Sequence, residues 1–127
     1  MIDTSLLIDY FRKTDKSNSR LVRLSQQYEK LVISSVTEFE VYSGATSSQL
    51  TFWNDLLSEI IVLSFDSKAA HIAVEIQQDL KKLRKSIEKA DLFIAATAVA
   101  NNLRLDTLNR KHFDNIWQLK LLDDSGG

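Results

Sequence analysis

Asp3, Glu40 and Asp91 are carboxylates in places that a packed interior does not readily accept. Asp3 ends the first apolar segment, Glu40 falls on an apolar helix face, and Asp91 opens the Ala-rich run DLFIAATAVA. An unpaired buried carboxylate is costly, so three of them entering from distant segments need cationic partners or a bound cation. Oxygen donors in a chain with no Cys and no suitably spaced His select a hard ion, Mg²⁺ or Mn²⁺, over zinc.

The elements that must bring these residues together alternate short β-branched segments with longer helical patterns, the signature of an α/β fold with a parallel sheet. Strands are expected at the tail of residues 1–3 and at 31–34, 60–65, 103–107 and 119–122. Helices are expected at 5–11, 19–28, 36–43, 48–59, 67–84 and 90–101, with a turn at 110–113. Only two residues precede Asp3, where a strand has about five, so the first strand is expected to be trimmed or frayed. Ligands of open α/β sheets gather outside the carboxyl ends of strands, and Asp3 lies where a strand hands over to a helix. Thr4 and Ser5 are expected to cap that helix without it. Ser35 followed three residues later by Glu38 reads as a capping box, which makes Glu38 scaffold. Glu40 stands four residues after Val36 and four before Gly44, on the inward stripe, and no capping rule accounts for it. Asp91 shares a helix face with Ile94 and Ala95, and Ala95, Ala96, Ala98 and Ala100 let that helix pack close to the sheet. With no Pro in the chain, helix ends are left to caps and to Gly44.

Other residues carry weaker signals. Asn109 follows a strand end and is expected to approach the same crevice. Asp106 within that strand faces either the ladder or the crevice. His71 reads as a packing residue of the long helix, and His112, without a partner at metal-binding spacing, reads as a residue near the crevice that holds no metal. Lys81, Lys85 and Lys89 recur every four residues beside Lys82 and Arg84. This pattern is either a solvated helix face or a basic stripe for phosphates.

With 127 residues, 44% of them apolar, the chain suits one domain over residues 1–122 followed by a flexible polar tail at 123–127. A net charge of −1 gives no global attraction to nucleic acid, so any such contact must come from a local patch. The apolar runs fall short of the roughly 20 residues that span a bilayer, and no basic and apolar leader pattern opens the chain. A cytoplasmic protein with no membrane partner is expected.

DTSLLID (3–9), TEFEVYSGA (37–45), ADLFIAATAVANNLRL (90–105) and TLNRKHF (107–113) resemble, in this order, the motifs of the PIN-domain ribonucleases, and most closely the VapC-like toxins of type II toxin–antitoxin modules. The resemblance spans essentially the whole chain and implies a three-layer α/β/α fold with a central parallel sheet. It implies that Asp3, Glu40 and Asp91 are catalytic and hold one or two Mg²⁺ or Mn²⁺, with Asn109 as a further oxygen donor and Thr4 or Ser5 steadying the water shell. It further implies an RNA substrate, often tRNA, a cognate antitoxin whose C-terminal segment covers the groove, and a homodimer. Leu6, Leu7, Tyr10, Phe11, Leu21 and Leu24 are expected either to offer that apolar groove or to serve as core. Where many relatives carry a further acid, this chain has Asn109 and His112. The family's first strand usually begins earlier, so the start of the chain is expected to be incomplete. Two other readings remain open: a PIN-fold binding or regulatory module without turnover, and a metal-dependent phosphodiesterase acting on small molecules.

Overall fold

The computed structural model describes residues 1–122, so the tail expected at 123–127 lies outside the described residues. Six α-helices are found there: α1 (Thr4–Arg12), α2 (Arg20–Gln27), α3 (Ser35–Gly44), α4 (Leu50–Leu57), α5 (Ser67–Lys82) and α6 (Lys89–Ala100). Two strands of three residues, β1 (Val32–Ser34) and β2 (Ile61–Leu63), pair in parallel with Val32 opposite Ile61. The sheet continues beyond them. Ile2 donates its N–H to the Val32 carbonyl at 2.9 Å. Parallel bridges then join Ile2 to Asp106 and Leu105 to Leu121. The spatial order is β2, β1, residues 1–3, residues 105–106 and residue 121. The first segment of the chain is therefore central, and later elements build outward on both of its sides. Such a switch point is where open parallel sheets bind ligands.

The segments expected as strands at 103–107 and 119–122 contribute only these short bridges. Asp106 donates to the Met1 carbonyl and accepts from the Asp3 N–H, after which Thr107 leaves the ladder to bond the Asp3 side chain.

Two apolar clusters cover the sheet. Ile33 belongs to the cluster formed with Leu6, Leu7, Leu21, Leu24 and Trp53, whereas the next residue, Ser34, exchanges a hydrogen bond with Thr97 of α6 at 3.2 Å. Successive strand residues point to opposite faces, so the helices lie on both sides and the architecture has three layers, α/β/α. On the α6 side, Ala95, Ala96 and Ala98 are fully buried, and with no bulk beyond a methyl they let the helix backbone approach the sheet closely. A helix this apolar has nowhere stable to go but the interior.

Of the two readings of the apolar residues in the first helices, core is the one found for Leu6, Leu7, Leu21 and Leu24, and Phe11 stacks on Trp53 with centroids 5.2 Å apart. Several sequence expectations are corrected. The basic residues after Lys82 do not extend a helical stripe. Leu83 caps α5, and Arg84 takes a left-handed φ of 57° that turns the chain away from the helix axis. Gly44 ends α3 without a positive φ, and Ala45 leaves in extended conformation. The end of α1 is closed by Lys16, whose ammonium donates to the carbonyls of Tyr10, Phe11 and Lys13 at 3.0–3.1 Å. Among the described residues no helix is long and apolar enough to cross a membrane.

Asp106 faces neither the crevice nor an unfilled ladder position. Its carboxylate accepts the Arg20 Nε–H at 2.7 Å, with both side chains largely buried, and ties α2 to the sheet centre. Removing the carboxylate deletes a charge-assisted hydrogen bond between α2 and the sheet centre. Asp106→Ala is therefore expected to cost on the order of 2 kcal/mol in urea unfolding.

Candidate active site

A cleft of about 560 Å³ opens at the carboxyl ends of the central segments, and Asp3, Glu40, Asp91 and Asn109 all line it. Asp3 is itself the N-cap of α1, a correction to the expectation that Thr4 and Ser5 cap without it. Its Oδ1 accepts the Ser5 N–H at 3.1 Å and the Ser5 hydroxyl, and its Oδ2 accepts the Thr107 hydroxyl at 2.6 Å. A carboxylate has about four lone-pair sites, so capping leaves capacity for a further ligand. Thr4 is free of capping duty, and its hydroxyl donates to Glu40 Oε1 at 2.6 Å. Ser5 Oγ also accepts the Leu108 N–H at 3.0 Å, which pins the last turn of the cleft to α1.

Helix α3 starts one residue earlier than a Ser35 capping box requires. Ser34 caps it by accepting the Val36 N–H at 3.1 Å, and the Ser35 hydroxyl accepts the Phe65 N–H at 3.0 Å, so no box with Glu38 forms. Glu38 nevertheless stays out of the cleft, and Glu40, half-buried, is the α3 acid that enters it. Asp91 lies in the first turn of α6, where the helix dipole favours a negative charge, and its Oδ2 is 3.0 Å from His112 Nδ1.

Three contributions escaped the sequence reading. Thr107 orients Asp3, His112 holds Asp91, and the α1 residues Ile8, Asp9, Arg12 and Lys13 form one wall of the cleft. The wall was legible in principle, because these positions repeat Thr4 and Ser5 at four- and eight-residue spacing on one helix face.

Electrostatics sets the chemistry. Burial pushes the Asp3 carboxyl above its ordinary value, the bonds from Ser5 and Thr107 pull it back, and the nearby Asp91 charge adds to the rise. Burial likewise raises Asp91, His112 opposes it, and the charges of Glu88 and Glu40 add to it. A bound cation relieves each of these repulsions at once. Among the described residues no three acidic or His side chains gather closely enough to hold an ion by themselves. The carboxylate and amide oxygens of the cleft suit a hard divalent cation held by a carboxylate or two and retaining much of its water.

Because the folded state holds a proton on Asp3 more tightly than the unfolded chain does, the contribution of Asp3 to stability is greatest in acid and is lost as pH rises through its raised folded value. Asn caps helices as well as Asp. Asp3→Asn is thus expected to raise Tm at pH 7, with the difference from the native chain shrinking as pH falls through the raised Asp3 value toward the ordinary carboxylate value of about 3.9 and levelling off below it. Added Mg²⁺ or Mn²⁺ is expected to raise Tm of the native chain and to leave Asp3→Asn nearly unmoved in the same thermal scan.

Residues 1–116 match the model of the PIN domain family. The chain is 32% identical to Ribonuclease VapC1 of Methanocaldococcus jannaschii over 97% of its own length and 86% of that protein's. It is 30% identical to the tRNA(fMet)-specific endonuclease VapC of Shigella flexneri, over 97% and 96% of the two chains. Among solved structures, VapBC-1 from nontypeable Haemophilus influenzae superposes with a TM-score of 0.82 at 27% identity, covering 97% of this chain and 96% of that one. With its three-layer fold and an acidic cleft at the switch point, the chain belongs to the PIN-domain family and, within it, to the VapC ribonucleases.

Proposed function

We propose that the protein is a divalent-metal-dependent endoribonuclease, the toxin of a toxin–antitoxin pair, that cleaves structured RNA with tRNA as its first substrate class. The observation that carries this reading is the meeting of Asp3, Glu40 and Asp91, separated in sequence, on one cleft at the sheet's switch point. The resemblance to proteins called ribonuclease and tRNA endonuclease supports it. A cognate antitoxin as inhibitor and self-association as a homodimer belong to the same reading. Solved neighbours include VapBC complexes and a toxin–antitoxin complex from Klebsiella pneumoniae, which supports the antitoxin partner.

In this mechanism Asp3, Glu40 and Asp91 would hold the ion, with the Asn109 carbonyl oxygen as a further donor. The ion, when bound, polarises the scissile phosphate and lowers the pKa of a water for in-line attack. The chain's own groups set the geometry. Thr107 and Ser5 fix the Asp3 carboxylate, Thr4 aims Glu40, and His112 holds Asp91 from its exposed side. Because each orienting hydroxyl comes from a different element than the carboxylate it holds, save Ser5, the acids are positioned before any ligand arrives.

Asn109 and His112, at positions where the resemblance implies a further acid, favour a second reading in which the cleft binds RNA without cutting it. Purified protein incubated with a total tRNA pool separates the two. Discrete fragments that require Mg²⁺ or Mn²⁺, vanish in EDTA, and fall at least about 100-fold in Asp91→Asn are expected for the nuclease. Equal products from native and Asp91→Asn protein would remove the site from the reaction. Retention of tRNA with no fragments from either would favour the binding module.

A further inference from the structure

A polyanion entering this cleft meets five carboxylates, Asp3, Asp9, Glu40, Glu88 and Asp91, against two permanent cations, Arg12 and Lys13. An ion at the acidic end offsets part of that charge, and the rest of the path still repels a phosphate backbone. Both cations sit at the far end of the α1 wall. Thr4, Ile8 and Arg12 form one row of that helix and Ser5, Asp9 and Lys13 the next, at four-residue spacing. The rise of about 1.5 Å per residue sets Arg12 about 12 Å along the axis from Thr4, whose hydroxyl holds Glu40. The two cations differ in availability. Lys13 is held by Asp9 at 3.5 Å, whereas Arg12 is exposed and has no ion pair among the described residues. The helix end beneath them is fixed by the three Lys16 bonds to Tyr10, Phe11 and Lys13 carbonyls, so the guanidinium projects from a stationary base.

We propose that Arg12, assisted by Lys13, is the anchor for an RNA backbone phosphate remote from the one that is cleaved. The anchor sets the affinity and direction of the strand along α1 and takes no part in the chemistry. A guanidinium fork suits this task, since it binds phosphate in a bidentate way and cannot lose its charge. This inference rests on the proposed nuclease reading.

The structural alternative is that Arg12 only complements the dipole at the end of α1, as a cation in a last helical turn does. Binding of tRNA across a KCl titration, at fixed Mg²⁺ and on the non-cleaving Asp91→Asn background, tells them apart. Arg12→Gln is expected to lower the slope of log affinity against log salt by about 0.7 and to weaken binding about fivefold at 0.1 M salt. Arg12→Lys is expected to keep the slope, and Lys68→Gln, exposed on α5 outside the cleft, is expected to match the parent. In the otherwise native chain Arg12→Gln is expected to raise KM with kcat unchanged. An unchanged slope in Arg12→Gln, or a fall in Tm with no change in slope, would overturn the anchor. Cleavage of tRNA by the native chain is scored separately, so a nuclease with an unmoved slope would refute only the anchor. Absence of both cleavage and tRNA binding would remove the nuclease reading and the anchor with it.

Discussion

The structure turns on keeping a carboxylate nearly out of water at the centre of a parallel sheet. Asp3 is 3% exposed, ends the central segment and starts the first helix. A buried carboxylate must be hydrogen-bonded to be tolerated. Satisfying it recruits Ser5 from its own helix and Thr107 from the end of the neighbouring sheet segment, and Ser5 in turn fixes Leu108. The local order of the last cleft turn is thus a consequence of housing one charge. Even so, its hydrogen bonds do not cancel the cost of burial, as the raised Asp3 value shows. That remaining cost is the differential through which a cation is favoured.

The same pattern of separated holders and held groups runs through the cleft. Thr4 of α1 holds Glu40 of α3, and His112 of the last turn holds Asp91 of α6. Fold and function are therefore coupled through contacts among four segments rather than through any one motif.

Much of this was legible in the amino-acid order, for identifiable reasons. The all-apolar run at 92–96 has one physical home, the interior, and places Asp91 correctly. The four-residue relation of Val36, Glu40 and Gly44 rightly brought Glu40 to the cleft, although Gly44 itself has no steric or conformational demand there. What failed were choices between near-equivalent capping side chains. Asp3, Thr4 and Ser5 are all good caps, as are Ser34 and Ser35, and only tertiary partners such as Glu40 and Phe65 decide which one is released. The basic run failed for another reason. Periodicity assumes the helix continues, and one left-handed residue at Arg84 breaks the phase. The amphipathic leucines of the first two helices were ambiguous in kind, because an apolar stripe looks the same whether it meets the protein's own sheet or a partner.

The bond from Thr107 to Asp3 joins residues 104 positions apart, and the sheet places residues 1–3 between β1 and residues 105–106. A chain emerging from a ribosome makes its first segment early and waits for the partner of that segment until nearly the whole domain has been synthesised. Until the turn at 107–112 is made, Asp3 has only Ser5 to hold it and Asp91 lacks His112. Long-range closure of this kind is slow to fold, yet it makes competence all-or-none. A partial translation product has no assembled cleft with which to attack the RNA around it.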